Sequence, residues 1–185
     1  MIIAAVGKNA TGKDYFLEYL SSKYNITMFS IGDIARELAV KDGLEPTREN
    51  LHITSEKYMT KYGQTFFPEQ VIKKIHNAKL ENVLISGIRP LSDVLTLKKE
   101  FGKEFILVDV VVSDDNVRFA RMKARGSARD PMTMDKFRAY DANEEKLFNT
   151  SETEKLADYV LYNDGTQQDF HDAIDNFYNK VINHD

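Results

Sequence analysis

Seven residues near the start of the chain, Gly7-Lys8-Asn9-Ala10-Thr11-Gly12-Lys13, carry glycine at both ends and close on a lysine. Glycine, four residues, glycine and lysine is the spacing of a phosphate-binding loop. Glycines at those places let the backbone curl until successive N–H groups converge on one anion, and a helix that follows directs its positive end at the same point. Lys13 adds a mobile point charge for the outer phosphates. The expected contacts to a nucleotide are therefore Gly7, Asn9, Ala10, Thr11, Gly12, Lys13, Asp14 and Tyr15. Asp14 stands where the full pattern has a Ser or Thr that holds Mg²⁺ through its hydroxyl; a carboxylate can serve the same ion directly or through water, because Mg²⁺ takes oxygen ligands. The bland alternative is a glycine-rich turn whose lysine is only solvated.

Other candidates lie after later strands. Asp33 follows a short apolar run, with Arg36 one helical turn beyond, and the reading is divided between a substrate holder or base and a plain helix N-cap. Gly87-Ile88-Arg89 closes a third run, and Arg89 is placed to fork onto a phosphate, against the alternative of a surface arginine in a turn. Ser86 occupies the strand end where many phosphate-loop enzymes have the acid that orients the metal. That leaves Asp14 and Asp33 as the candidates for Mg²⁺. Arg118, Arg121 and Arg125 are spaced to share one helical face, and the glycine and proline of Gly126-Ser127-Ala128-Arg129-Asp130-Pro131 mark a hinged loop. A lone arginine stripe is usually solvated, but beside a phosphate loop it reads as a lid carrying Arg121, Arg125 and Arg129 toward the transferring phosphates. Arg138, Asp141, Glu144 and Glu145 read as solvent-facing charge pairs.

The elements that must position these residues follow from periodicity. Apolar runs at 2–6, 26–30, 83–86, 105–112 and 159–162 predict five strands, the first continuous enough for the middle of a parallel sheet. Helical patterns fill the intervals, at 14–24, 34–41, 91–100, 115–125, 132–147 and from 166 to about 182, with residues 31–33 as a turn. Residues 44–78, polar and rich in tyrosine, predict helices with Thr47 as a cap and breaks at Gly63 and before Pro68. Asn163-Asp164-Gly165-Thr166 turns into the last helix, capped by Thr166 or Asp164, and lies where a nucleotide base would sit. Alternating strands and helices predict an α/β fold, a three-layer doubly wound five-stranded parallel sheet. One domain is expected over residues 1–185, with a helical insertion at about 34–80 and a lid at about 121–138.

Composition narrows the classes. The 185 residues carry 29% charged and 42% hydrophobic side chains, an ordinary globular balance. A net charge of −4 argues against a nucleic-acid partner. Without cysteine there is no disulfide, thiolate nucleophile or cysteine-bound zinc. No leader-like start and no run of membrane-spanning length is evident, so a cytoplasmic location with no membrane partner is expected. The oligomeric state is left open.

These motifs together resemble the P-loop nucleoside monophosphate kinase superfamily, in the branch holding adenylate kinases, dephospho-CoA kinases and deoxynucleotide kinases, and most closely the dephospho-CoA-kinase-like proteins. The resemblance spans nearly the whole chain. It is carried by 7–14, by Ser30-Ile31-Gly32-Asp33 with Arg36, by Thr47-Arg48-Glu49-Asn50-Leu51, by Gly87-Ile88-Arg89, by the three helix arginines, and by Ala157-Asp158-Tyr159 leading to Asn163-Asp164-Gly165. It implies ATP and Mg²⁺ as cofactors and a small-molecule nucleotide as acceptor. Lys13, Asp33, Arg121, Arg125 and Arg129 would be catalytic; Arg121, Asn163, Gly165 and Thr166 would lie along the ATP; Asp33, Arg36, Arg48, Gly87 and Arg89 would face the acceptor. The expected activity is ATP-dependent phosphotransfer to a nucleotide or nucleoside monophosphate. A hydroxyl kinase like those acting on dephospho-CoA, and a nucleotide-binding NTPase or regulatory module without acceptor, stand as alternatives.

Overall fold

The computed structural model describes residues 1–126 and 133–183, apart from the side chain of Arg48. Its elements run β1 (Ile2–Val6), α1 (Lys13–Tyr24), β2 (Thr27–Ser30), α2 (Ile31–Lys41), α3 (Arg48–Tyr62), α4 (Phe66–Ala78), β3 (Val83–Ser86), α5 (Leu91–Phe101), β4 (Phe105–Val111), α6 (Asp115–Arg125), α7 (Met134–Phe148), α8 (Thr150–Glu154), β5 (Tyr159–Tyr162) and α9 (Gln167–Ile182). The strands form one five-stranded sheet in the order β2-β3-β1-β4-β5, and every pairing is parallel. Helices pack on both faces, so the expected α/β doubly wound class holds.

β1 takes the centre because all five of its residues are apolar and buried, as a strand covered on both faces requires. Its alternation divides the core. Ile2, Ala4 and Val6 look toward Ile34, Val71, Ile75, Val94 and Leu97 of α2, α4 and α5. Ile3 and Ala5 look toward Phe16, Leu17 and Leu20 of α1 and Phe170, Ile174 and Phe177 of α9. Each such fully buried side chain contributes about 1.5–3 kcal/mol, so α1 is held to the sheet by its Phe16, Leu17 and Leu20 rather than by its ends. Connections from β1 and β4 leave these neighbouring strands in opposite directions, which opens the crevice at their carboxyl ends where such sheets take ligands.

Two local expectations are corrected. Residues 31–33 form the first turn of α2, not a separate turn, because Ile31 and Ile34 are both buried and the apolar stripe starts that early. Asp164 does not cap α9. It accepts from the Ser113 amide and hydroxyl, both at 2.7 Å, while Thr166 and Asp169 close the helix start in a reciprocal capping box. Thr47 caps α3 as expected. The short helix α8 had no counterpart among the sequence patterns, and it proves central to the site. Among the described residues no helix is long and apolar enough to cross a membrane.

Candidate functional site

The loop between β1 and α1 has the backbone that its glycines allow. Gly7 and Gly12 sit at φ +135° and +99°, where a side chain is strained. Space is also lacking: a Cβ on Gly7 would lie 2.4 Å from the Val110 carbonyl, and one on Gly12 would lie 2.6 Å from Asn163 Nδ2. Buried Thr11 closes the curl from within by donating its hydroxyl to the Lys8 carbonyl at 3.0 Å. Gly12 precedes α1 and no side chain caps that helix, so its first N–H groups stay available to an anion. Lys13 lies over the loop, 3.5 Å from the Lys8 carbonyl. The orphaned helix start and the glycine-shaped curl fit a polyphosphate.

Asn163 and Arg118 pin this loop from outside, and Arg121 braces Asn163. Asn163, at the end of β5, donates Nδ2 to the Thr11 carbonyl at 2.8 Å. Arg121 in turn donates to the Asn163 carbonyl at 2.9 Å, and among the described residues its Nη1 is buried without a partner. Arg118 donates to the Asn9 carbonyl at 3.1 Å. Of the β5–α9 turn residues expected beside a nucleotide, Asn163 thus spends its side chain on the phosphate loop. Thr166 spends its hydroxyl on the start of α9, and Gly165 packs against Asp169.

The arginine stripe of α6 does not face one way. Arg118 is only 1% exposed and is held by Asp115 at 2.5 Å and Asp141 at 2.7 Å, with its guanidinium 4.8 Å from the centre of the Phe137 ring. It is an internal strut between α6, α7 and the phosphate loop rather than a lid arginine, because α7 folds back over it and supplies both the ring and a carboxylate. Arg121 turns toward Asn163, Arg125 ends α6, and Arg129 lies outside the described residues. So does the segment expected to hinge, apart from its Gly126.

β2 and β3 bring their turns together. Gly87 passes so close to α2 that a Cβ there would lie 3.3 Å from the Gly32 amide. This brings the start of α2 against the turn that leads to Arg89. Asp33 and Arg36 pair with each other, with side chains 59% and 51% exposed. The Arg89 backbone is gripped from both ends: its amide donates to Asp93 at 3.4 Å and its carbonyl accepts from Thr153 at 2.9 Å. Asp93 is 4% exposed, and burial pushes its carboxyl up to about 7 against the weaker pull of the Arg89 amide and charge. The Arg48 side chain lies outside those described, although its backbone opens α3.

α7 and α8 complete the site with residues that sequence reasoning missed. Glu144 is not solvated: it accepts from Asn9 Nδ2 at 2.5 Å and pairs with Arg89 Nε at 3.3 Å. Asp141 and Glu145 are likewise engaged, with Arg118 and with the Thr150 and Ser151 start of α8. Charge pairs spaced along one helix look the same in sequence whether water or a neighbouring loop lies opposite. A narrow cavity at the carboxyl ends of β1 and β3 is lined by Gly7, Lys13, Arg89, Glu144, Thr153 and Glu154. Behind it, Asp109 pairs in register with Val6, and burial together with the Glu154 charge pushes its carboxyl up to about 7. The one signal for Asp109 was a lone acid near the end of an apolar strand. Asp14 is exposed in the first turn of α1, next to Lys13. Among the described residues no group of three or more His, Cys, Asp or Glu gathers to hold a metal unaided.

Known proteins share this chain's sequence and fold along most of its length. The family model described as AAA domain matches residues 6–138. A UPF0200 protein of Thermococcus gammatolerans is 32% identical over 184 residues, covering 98% of this chain and 96% of the relative. One of Hyperthermus butylicus is 33% identical over 170 residues, covering 92% and 89%. Among solved structures, TT1252 from Thermus thermophilus matches with a TM-score of 0.63 at 17% identity, covering 98% and 97%. Shikimate kinase from Bacteroides thetaiotaomicron matches with a TM-score of 0.59 at 14% identity over 98% of both chains. The fold is the one these solved structures share, and the chain belongs to the AAA domain family and to the UPF0200 proteins.

Proposed function

We propose that this chain is an ATP-dependent phosphotransferase whose acceptor is a small nucleotide. One observation carries the reading: Lys13 of the phosphate loop and Arg89 of the β3 turn line the same cavity. Phosphoryl transfer needs in-line placement and neutralised charge more than covalent help. The loop from Gly7 through Lys13 would hold the donor phosphates on its amides, with Lys13 on the transferring group and the unpartnered Nη1 of Arg121 as a second cation. Arg125 and Arg129 would come from the lid side. Asp33, Arg36, Arg48, Gly87 and Arg89 would face the acceptor. The shikimate kinases among the structural neighbours support a phosphotransferase on this fold.

Asp14, an exposed carboxylate one residue after Lys13, would hold Mg²⁺ directly or through water; Asp33 would first have to leave Arg36. When bound, the ion would neutralise charge on the donor phosphates. Everything else in the site is done by side chains and amides of the chain. The test is labelled ATP with a panel of nucleotide acceptors, for wild type and Lys13→Ala. Label is expected on one acceptor class, with turnover falling about a thousandfold in the variant, the cost of deleting one preorganised charge. Equal turnover by the two proteins would refute the assignment.

A further inference from the structure

The charges around the cavity say which end of the acceptor receives phosphate. Arg89, the cation that would meet an acceptor phosphate, is already paired with Glu144. A second carboxylate, Glu154, also lines the cavity, and among the described residues its Oε1 is buried with no hydrogen-bond partner. Two cations against two acids are poorly suited to a phosphate dianion, whereas an orphaned carboxylate oxygen beside Lys13 suits a group that can donate a proton.

We infer that the acceptor presents a hydroxyl to this cavity and that Glu154 is the catalytic residue that takes its proton. The inference rests on the phosphotransferase reading above and deepens it. In the step, the acceptor O–H bond breaks and its proton passes to Glu154, while the acceptor oxygen bonds to the γ-phosphorus. The bond from that phosphorus to the β–γ bridging oxygen breaks, and the electron pair leaves with ADP.

The surroundings of Glu154 support the role. Burial holds its carboxyl above the usual range, with the Glu145 charge of α7 adding to the effect. Lys8 and Lys13 of the phosphate loop and Arg118 of α6 pull the other way. Asp109 of β4 stands close enough for the Glu154 charge to act on it, so it is a positioning neighbour that discourages both acids from ionising together. A carboxylate whose proton affinity is moved toward neutrality is a better base at neutral pH than a solvated one. A phosphate acceptor would need no base at all.

The experiment uses the full chain with ATP and the acceptor panel, on wild type, Glu154→Gln and Glu154→Asp. ATP affinity by calorimetry is expected to stay within about threefold in all three. Turnover is expected to fall about a hundredfold in Glu154→Gln, with loss of the acid limb of the pH–rate profile, and to recover in part in Glu154→Asp, which keeps the carboxylate. Label should appear as a phosphate ester of a hydroxyl. If wild type binds ATP and transfers label to a phosphate terminus, or if Glu154→Gln turns over like wild type, the proton acceptor is refuted and the phosphotransferase stands. If wild type takes up no ATP, both readings fall together.

Discussion

Asp93→Asn isolates the cost of holding a charge under the Arg89 turn. The substitution keeps the shape and an oxygen to accept from the Arg89 amide, and replaces the ionisable hydroxyl by an amide NH2. Burial pushes this carboxyl in the folded chain up to about 7, from an ordinary aspartate value of 3.8. Because the folded value is raised, the native state retains a proton that the unfolded chain has lost between those two pH values. Stability attributable to Asp93 is therefore greatest below about pH 4 and declines as pH rises to about 7. At about 1.4 kcal/mol per unit the ceiling of that loss is about 4 kcal/mol. Urea unfolding of wild type and variant should show a difference that grows in the variant's favour from pH 4 to pH 8. An unpaired amide N–H in the variant would subtract about 1–3 kcal/mol at every pH without changing that slope. A stability difference that is the same at pH 4 and pH 8 would show that Asp93 is not held protonated by burial, and the argument would fail.

Gly12→Ala should drive a methyl group to 2.6 Å from Asn163 Nδ2, at a backbone angle alanine resists; calorimetry should show weakened ATP binding, with the melting temperature lowered. Arg118→Met leaves Asp115 and Asp141 without their shared cation, and denaturant titration should show a loss of about 1.5–3 kcal/mol, where a solvated lid arginine would give a change near zero.

The central sheet was legible because its signal is local. Ile2 through Val6 and Val83 through Ser86 are apolar runs bounded by turn residues, and the loop spacing from Gly7 to Lys13 needs no partner to be recognised. The cross-chain contacts were not legible in the same way. Glu144 and Glu154 look like any acids on amphipathic helices, and only folding α7 and α8 over the strand ends turns them inward. Arg118 was misplaced for the same reason, since seven-residue spacing puts it with Arg125 on one helix without saying that Phe137 and Asp141 will cover it. Asp93 is one more polar residue in a helix's first turn until the neighbouring packing removes its water.

Glu144 ties two places together with a single carboxylate: one oxygen holds Asn9 in the phosphate loop and the other holds Arg89 on the opposite bank. A guest settling on either bank competes for a grip that serves both, so the arrival of one substrate loosens the residue that restrains the other. Two ligands on these banks would then not be independent visitors, and the presence of either should change the affinity for the other by the same factor.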